Sequence, residues 1–356
     1  MLLLSPMIDK IKKNIEINIK SFTKKLKDEI KLDQINPYLY KSILEYSLRK
    51  GKRIRPTLLI LSYKGYLQTG KIFNPSVYYA STAVEFLHNF MLVHDDIIDN
   101  SDLRRSKPTM HKILEKTIKT DDKKSLGINL GIIAGDIIYA LAIDAFLSIE
   151  VQQKIKQRAL QYFLNTTIST AIGEFIDTIH SVDKLQNVKE SDVFLNYTLK
   201  TAKYTFTSPL VIGAILAGAK EGEINKLTRL GLLIGQAFQI QDDIIGIFDT
   251  QKNIGKSILS DLAESKKTLL VAHAYENLKS KDKKLFIDCF NKPKKTYKDL
   301  LNIRSIFINS GSLDYCRAAI ETRLKEGHKV LDSLKIKPAC KKNIETILAQ
   351  TFRRKN

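Results

Sequence analysis

The residues best placed to do chemistry in this chain are two aspartate-rich clusters, Asp95-Asp96-Ile97-Ile98-Asp99 and Asp242-Asp243, each set in an apolar stretch of helical spacing. Carboxylates crowded away from water repel one another unless a cation or partner compensates them. Oxygen-only clusters suit magnesium, which binds through a few carboxylates plus water and substrate phosphate. On a helix Asp95 and Asp99 share one face, about 6 Å apart along the axis. Asp102 would join them if the helix continues, and His88 projects from the same face two turns earlier. Apolar flanks, Met91-Leu92-Val93 before and Ile97-Ile98 within, argue against a helix end that simply dips into solvent. The second cluster follows Phe238-Gln239-Ile240-Gln241 and precedes Gly255-Lys256, Asp261 and Lys266-Lys267-Thr268. Acids for a metal and lysines for diphosphate oxygens are complementary halves of one site. Lone lysines in this chain are ordinary surface charge; position relative to the aspartates lifts Lys256 and Lys266. The pattern points to a metal-assisted enzyme acting on a diphosphate.

Elements of a helical protein must hold these groups. Of 356 residues, 44% are hydrophobic and 27% charged, which is globular composition and enough for a sizeable core. Glycine (16) and proline (8) are scarce, and the periodic apolar stretches lack the turn spacing of strands. Helical patterns run over 5–33, from Pro37 to about Lys50, from Pro56, from Asn74-Pro75 through Asp99, and over 125–148, the last apolar on most sides as a core helix is. Others cover about 150–180, 187–201, 208–219, 222–249, 264–279, 312–333 and 338–351, with lysine-rich breaks near 280–298. The reading is all-α: one domain over 1–356, with an amphipathic helix at 1–35 and a basic helix and tail at 336–356.

The net charge of +20 comes from 46 lysines against 12 arginines, scattered along the chain. A nucleic-acid module would need a clustered basic face with aromatics, so nucleic acid is not an expected partner; the lysines read as solvated faces with no specific partner, with weak attraction to anionic membrane surfaces as the alternative. Four arginines fall in two motifs, Arg53/Arg55 and Arg104/Arg105, and a planar five-donor fork suits phosphate oxygens. Three widely spaced cysteines, Cys289, Cys316 and Cys340, show neither metal-ligand nor disulfide spacing, as in a reducing cytoplasm. There is no uninterrupted apolar run of about 18 residues, so no transmembrane segment is expected. No glycine-rich phosphate loop of a nucleotide enzyme is present.

Four segments carry a family resemblance: Lys50-Gly51-Lys52-Arg53-Ile54-Arg55-Pro56, His94 to Asp99 with Leu103-Arg104-Arg105, Lys200-Thr201-Ala202, and Phe238 to Asp243. Their order and spacing resemble the trans-polyprenyl diphosphate synthases, over about 40 to 330, and within them archaeal-type geranylgeranyl diphosphate synthases. The resemblance implies an isoprenoid synthase-type helical bundle around a deep central cavity, with the aspartate clusters facing each other at its mouth. It implies Mg2+, three ions in the family pattern, held by Asp95, Asp99, Asp242 and Asp243. It assigns Arg104, Lys200, Thr201, Gln239, Lys256 and Lys266 to the allylic diphosphate (dimethylallyl, geranyl or farnesyl). Gly51, Lys52, Arg55, His88 and Arg105 fall to isopentenyl diphosphate, and Asp177 and Asp261 support the metals. The implied reaction ionises the allylic carbon–oxygen bond, alkylates isopentenyl diphosphate and loses a proton, for which no dedicated base is visible. A homodimer is the family expectation, and the apolar helix at 125–148 is a sensible interface.

Three positions depart from the family pattern. Lys50 replaces a first glycine, Ser106 stands where glycine often follows the arginine pair with little expected consequence, and Gly246 replaces a third aspartate. Phe90, five residues before Asp95, resembles a residue that floors the cavity near C20, although a helical wheel sets Met91 more directly beneath Asp95. The product expected is geranylgeranyl diphosphate, with farnesyl diphosphate next. A class I terpene cyclase would lack the Lys52/Arg55 site, and a non-catalytic synthase subunit would be expected to have lost the aspartates.

Overall fold

The computed structural model describes residues 5–117, 122–249, 262 and 264–352. Its helices in chain order are α1 (Pro6–Asp28), α2 (Leu32–Ile35), α3 (Pro37–Ser47), α4 (Ile54–Tyr66), α5 (Val77–Ile98), α6 (Met110–Glu115), α7 (Lys123–Leu147), α8 (Gln153–Val182) and α9 (Glu190–Asn196). A π-helical segment (Tyr197–Thr207) leads into α10 (Ser208–Leu216) and α11 (Glu221–Phe248). The series ends with α12 (Leu269–Asn277), α13 (Ser280–Asn291), α14 (Tyr297–Asn309), α15 (Ser312–Asp332) and α16 (Pro338–Phe352). The all-α expectation holds among the described residues apart from one antiparallel ladder of two-residue strands, β1 (Leu103–Arg104) and β2 (Lys107–Pro108).

The chain divides into two compact units. The first comprises residues 1–163, 209–224 and 335–347. Its α1 starts where the Ser5 hydroxyl accepts the Ile8 amide, and buries Ile8, Ile11, Ile15 and Ile19, the stripe read from sequence. The pattern over 5–33 resolves into α1 and α2 because Lys31 adopts a left-handed conformation (φ 59°) between them. Helix α4 begins at Ile54, two residues before Pro56. Helix α5 ends at Ile98 with Asp99 as its cap, so Asp102 leaves the aspartate face and pairs with Lys112 instead (3.3 Å). Helix α7, expected in the core because it is apolar on most sides, buries one side only (Ala134, Ile138, Ala142, Phe146) and leaves Ile132 and Ile133 40% and 51% exposed. Of the described helices it is the one long and apolar enough, by length and composition, to cross a membrane.

The second unit comprises residues 164–208, 225–334 and 348–356. Its core gathers Tyr197, Ile240, Leu269, Phe286, Phe290, Ile303 and Phe307. Helix α13 lies where lysine-rich breaks were expected: Phe286, Cys289 and Phe290 form a narrow buried stripe that the surrounding lysines obscure in sequence. Helices expected at 187–201 and 208–219 are joined by the π segment, in which the Ser208 amide bonds to the Lys203 carbonyl five residues back.

Two stability predictions follow from this packing. In the first unit α10 approaches α4 so closely that a Cβ on Gly213 would lie 2.2 Å from the Leu59 carbonyl oxygen, backbone that cannot yield. Gly213→Ala is expected to destabilise by about 2–3 kcal/mol in denaturant titration; an unchanged midpoint would show that the helices separate freely. The β1–β2 loop is a two-residue turn in which Arg105 (φ 55°) and Ser106 (φ 60°) are both left-handed, the type I′ arrangement. Ser106 therefore carries a conformational cost that the sequence reading did not foresee. Ser106→Gly should raise stability by roughly 0.5–1 kcal/mol, and a loss in the same titration would contradict the turn assignment.

Candidate active site

The first unit assembles a constellation around the C-terminal end of α5. The carboxylate oxygens of Asp95 and Asp99 lie within 4.8 Å of each other, as the i, i+4 spacing requires. Asp96, fully buried, points elsewhere: the Tyr46 hydroxyl donates to its Oδ2 at 3.2 Å and Arg104 Nε to its Oδ1 at 2.7 Å. Arg104 Nη2 also donates to Asp95 Oδ2 at 2.9 Å. Burial pushes the Asp96 carboxyl up, to about 6, while Arg104 pulls against it. Arg104 is itself desolvated, but Asp95 and Asp96 outweigh that and raise it above the usual guanidinium range. The result is one fixed guanidinium beside a pair of hard oxygen ligands. Paired carboxylate oxygens of this kind fit a magnesium ion, whose remaining positions water and phosphate oxygens would fill.

The hairpin that carries Arg104 is tied to α3. Arg49, 6% exposed, donates to the Pro108 carbonyl at 2.8 Å and to Glu45, which also accepts Lys107 Nζ at 2.8 Å. Across the turn Arg105 faces away from Arg104: its Nη1 donates to the Lys50 carbonyl at 3.1 Å. It lies against Gly51, where a Cβ would stand 2.8 Å from the same nitrogen. Gly51 thus leaves room for the end of the Arg105 side chain. Arg55 Nη1 lies 3.2 Å from His88 Nε2. Guanidinium nitrogens can only donate, so Nε2 accepts and the ring proton sits on Nδ1. Burial first, then Arg55, Arg105, Arg104 and Arg53, hold His88 well below the usual imidazole range, so the ring is neutral. Gly51, Arg55, His88 and Arg105 therefore meet, with exposed Lys52 beside them.

Arg53 does not join them. It is turned inward to a buried ion pair with Glu85 (2.5 Å) and donates to the carbonyls of Ser47 and Arg49 at 3.3 and 3.0 Å. The motif alone placed both arginines toward phosphate; burial assigns Arg53 to the fold. Glu85 went unnoticed, although its place three residues before His88 on α5 is a usable signal. Phe90 is half-buried, its ring 4.6 Å from that of His94 and 4.9 Å from that of Tyr139 on α7. Neighbouring Met91 is likewise half-buried.

The second unit holds the other predicted residues. Asp242 is exposed on α11, whereas Asp243 is half-buried and accepts from the Tyr197 hydroxyl and from Gln239 Nε2 (2.9 Å). Gln239 Oε1 accepts the Thr201 hydroxyl at 2.6 Å. Burial, then the Asp243 charge, keep the Tyr197 phenol far above its ordinary range, so it remains a donor. Lys200 Nζ lies 2.6 Å from Asp177 and 2.9 Å from Glu174; Glu174, three residues before Asp177 on α8, was missed as a partner. Lys200 and Thr201 both belong to the π segment, a deformation frequent at functional sites. Lys266 pairs with Glu264 at 2.6 Å. Lys256 and Asp261 lie outside the described residues.

Comparison with known proteins gives a consistent answer. The family model described as polyprenyl synthetase matches residues 37–306. A geranylgeranyl diphosphate synthase of Sulfolobus acidocaldarius is 33% identical over 302 residues, 84% of each chain. The crystal structure of geranylgeranyl pyrophosphate synthetase from Pyrococcus horikoshii aligns with TM-score 0.82 at 27% identity, covering 98% of both chains. A geranylgeranyl pyrophosphate synthase from Corynebacterium glutamicum, complexed with isoprenyl diphosphate and magnesium, shares the fold (TM-score 0.87, 24% identity, 98% of this chain and 99% of that one). By these matches and its own motifs, the chain belongs to the polyprenyl synthetase family.

Proposed function

We propose that this chain is a Mg2+-dependent prenyltransferase that joins isopentenyl diphosphate to an allylic diphosphate, releases diphosphate, and makes geranylgeranyl diphosphate. The observation that carries the reading is the pair of differently built sites on one unit. Arg104 clamped beside Asp95 and Asp99 suits a metal-bound diphosphate. Gly51, Arg55, neutral His88 and Arg105 bring donors and no carboxylate of their own, which suits a metal-free one.

Magnesium would be held by Asp95 and Asp99 and by Asp242 with Asp243, and supplies positive charge to the departing diphosphate. The protein's own cations do the same work by position. Arg104, Lys200, Lys256 and Lys266, with Thr201 and Gln239, are assigned to the allylic diphosphate. Cations preset where negative charge grows lower the barrier without reorganising during the step. Arg55 and Arg105, with Lys52, hold the second diphosphate so that its double bond meets the cation; neutral His88 adds hydrogen bonding and no further repulsion among the arginines. No carboxylate or imidazole base is assigned to the final deprotonation, and the released diphosphate is the proposed acceptor. Asp177 supports the site by fixing Lys200, and Asp261 keeps the supporting role that the family pattern implies.

The single-domain reading over 1–356, the cytoplasmic location and the homodimer belong to the same proposal. The second unit supports the dimer with an exposed stripe on α8, where Ile168, Ile172, Phe175, Ile179 and Val182 alternate in spacing by four and three, and Phe175 is 67% exposed. Light scattering should give twice the chain mass, and a monomer at micromolar concentration would reject this part.

Incubation with Mg2+, isopentenyl diphosphate and each of the C5, C10 and C15 primers should give C20 diphosphate by mass analysis, and chelation of the metal should stop it. Asp95→Asn is expected to lower turnover on the order of a hundredfold or more with an unchanged circular dichroism spectrum. Full turnover in that variant would refute the metal assignment. Phe90→Ala, which opens the space beside His94 and Tyr139, should lengthen the products. An unchanged product distribution would remove Phe90 from chain-length control and leave Met91 as the remaining candidate.

A further inference from the structure

Two lysines of the second unit are buried in a way that a surface-lysine reading does not anticipate. Lys267 and Lys295 are 7% and 8% exposed, and among the described residues neither makes an ion pair. Both reach the same residue. Lys267 Nζ donates to the Ser265 carbonyl (3.1 Å) and the Ser181 carbonyl (3.2 Å), and Lys295 Nζ to the Ser265 hydroxyl (2.8 Å) and the Lys292 carbonyl (3.3 Å). Their ammonium groups lie 4.9 and 5.8 Å from the centroid of the Phe290 ring, whose face attracts cations. The Ser265 hydroxyl in turn lies 3.5 Å from the Phe290 carbonyl. Burial first, then the Lys295 charge, bring Lys267 down to about 8.

Placing two like charges together in a dry site is unfavourable, so what they hold is informative. Ser265 is left-handed, with φ 54°, a conformation that serine does not adopt without restraint. The residue after it is Lys266. On the far side, Thr268 caps α12 by accepting the Val271 amide at 3.4 Å. The Leu269 amide donates to the Tyr197 hydroxyl at 2.9 Å, and that hydroxyl donates to Asp243. The backbone is thus pinned on both sides of Lys266 and tied to the second aspartate cluster.

We propose that Lys295 and Lys267 are positioning residues, which lock Ser265 in the left-handed conformation and so fix the direction in which Lys266 projects toward the allylic diphosphate. The inference rests on the diphosphate-binding reading of Lys266. A purely structural role would lower stability and leave the balance between the two substrates unchanged. A positioning role shifts kinetics for one substrate.

The experiment compares Lys295→Met, Lys266→Met, the double variant, and Lys295→Met combined with Ser265→Gly in the full chain, with KM measured separately for the allylic primer and for isopentenyl diphosphate. Methionine keeps the buried stem and removes the donor; glycine reaches the left-handed region without help. Lys295→Met should cut kcat/KM for the allylic primer about tenfold or more while KM for isopentenyl diphosphate stays put. Ser265→Gly should recover most of that loss. The double variant with Lys266→Met should be no worse than Lys266→Met alone, since both act through one group. If Lys266→Met is impaired and Lys295→Met is not, the clamp is wrong and the reading of Lys266 stands. If Lys266→Met has normal kinetics, both fall. Should Lys295→Met not fold, Ser265→Ala, which removes only the hydroxyl, must show the same primer-specific loss, and normal kinetics there overturns the proposal.

Discussion

A buried charge paired with its opposite at hydrogen-bond distance is held in place, and in the first unit such pairs set where the groups proposed to face substrate lie. Arg53 and Glu85 are 1% and 3% exposed, so removing either would strand the other at a cost of about 3–5 kcal/mol. With Arg53 committed inward, its left-handed backbone turns Lys52 out to solvent and starts α4, which carries Arg55. Glu85 and His88 are three apart on α5, so the same ion pair sets His88 against Arg55. Arg104 repeats the principle at the other end of α5, where buried Asp96 anchors the guanidinium that also touches Asp95.

In the second unit hydrogen-bonded chains take the place of a single buried ion pair. Thr201, Gln239, Asp243, Tyr197 and the Leu269 amide form one continuous sequence of donors and acceptors across the π segment, α11 and the start of α12. Asp177 and Glu174 hold Lys200 within the same π segment. Five-residue hydrogen bonding widens that turn, and the helix beside it comes close: a Cβ on Gly235 would stand 2.3 Å from Ala202 Cα. Helix α11, which bears Asp242 and Asp243, therefore packs directly against the segment that bears Lys200 and Thr201.

Much of this was legible from residue types and spacing. The helical period located α5 and α11 with their acids, and the residues singled out by the basic motifs do gather, with Arg55 against His88, Arg105 against Gly51 and Arg104 against Asp95. What escaped was whatever depends on burial or on backbone sign. Arg53 and Arg55 look equivalent in the motif, yet only burial against Glu85 separates them. Lys267 and Lys295 carry no mark that distinguishes them from the solvated lysines around them. Asp102 was lost from the acidic face because α5 stops at Ile98, and helix ends are set by local capping that periodicity does not encode. Helix α13 was hidden because three lysines in its first turns precede a stripe of only three buried residues.

The β1–β2 hairpin has a bearing on how the enzyme can evolve. Its register pairs Arg104 with Lys107, and its tight turn sends Arg104 to Asp95 and Asp96 while Arg105 goes to the Lys50 carbonyl. Adjacent residues of a strand point to opposite sides, so a shift of one residue would exchange every side chain along it. Inserting or deleting a single amino acid there would misdirect both guanidiniums together. If Arg104 and Arg105 serve the two diphosphates as proposed, affinity for the donor and the acceptor substrate is mechanically linked through four residues, and drift toward new substrates proceeds by replacement within this loop rather than by changes in its length.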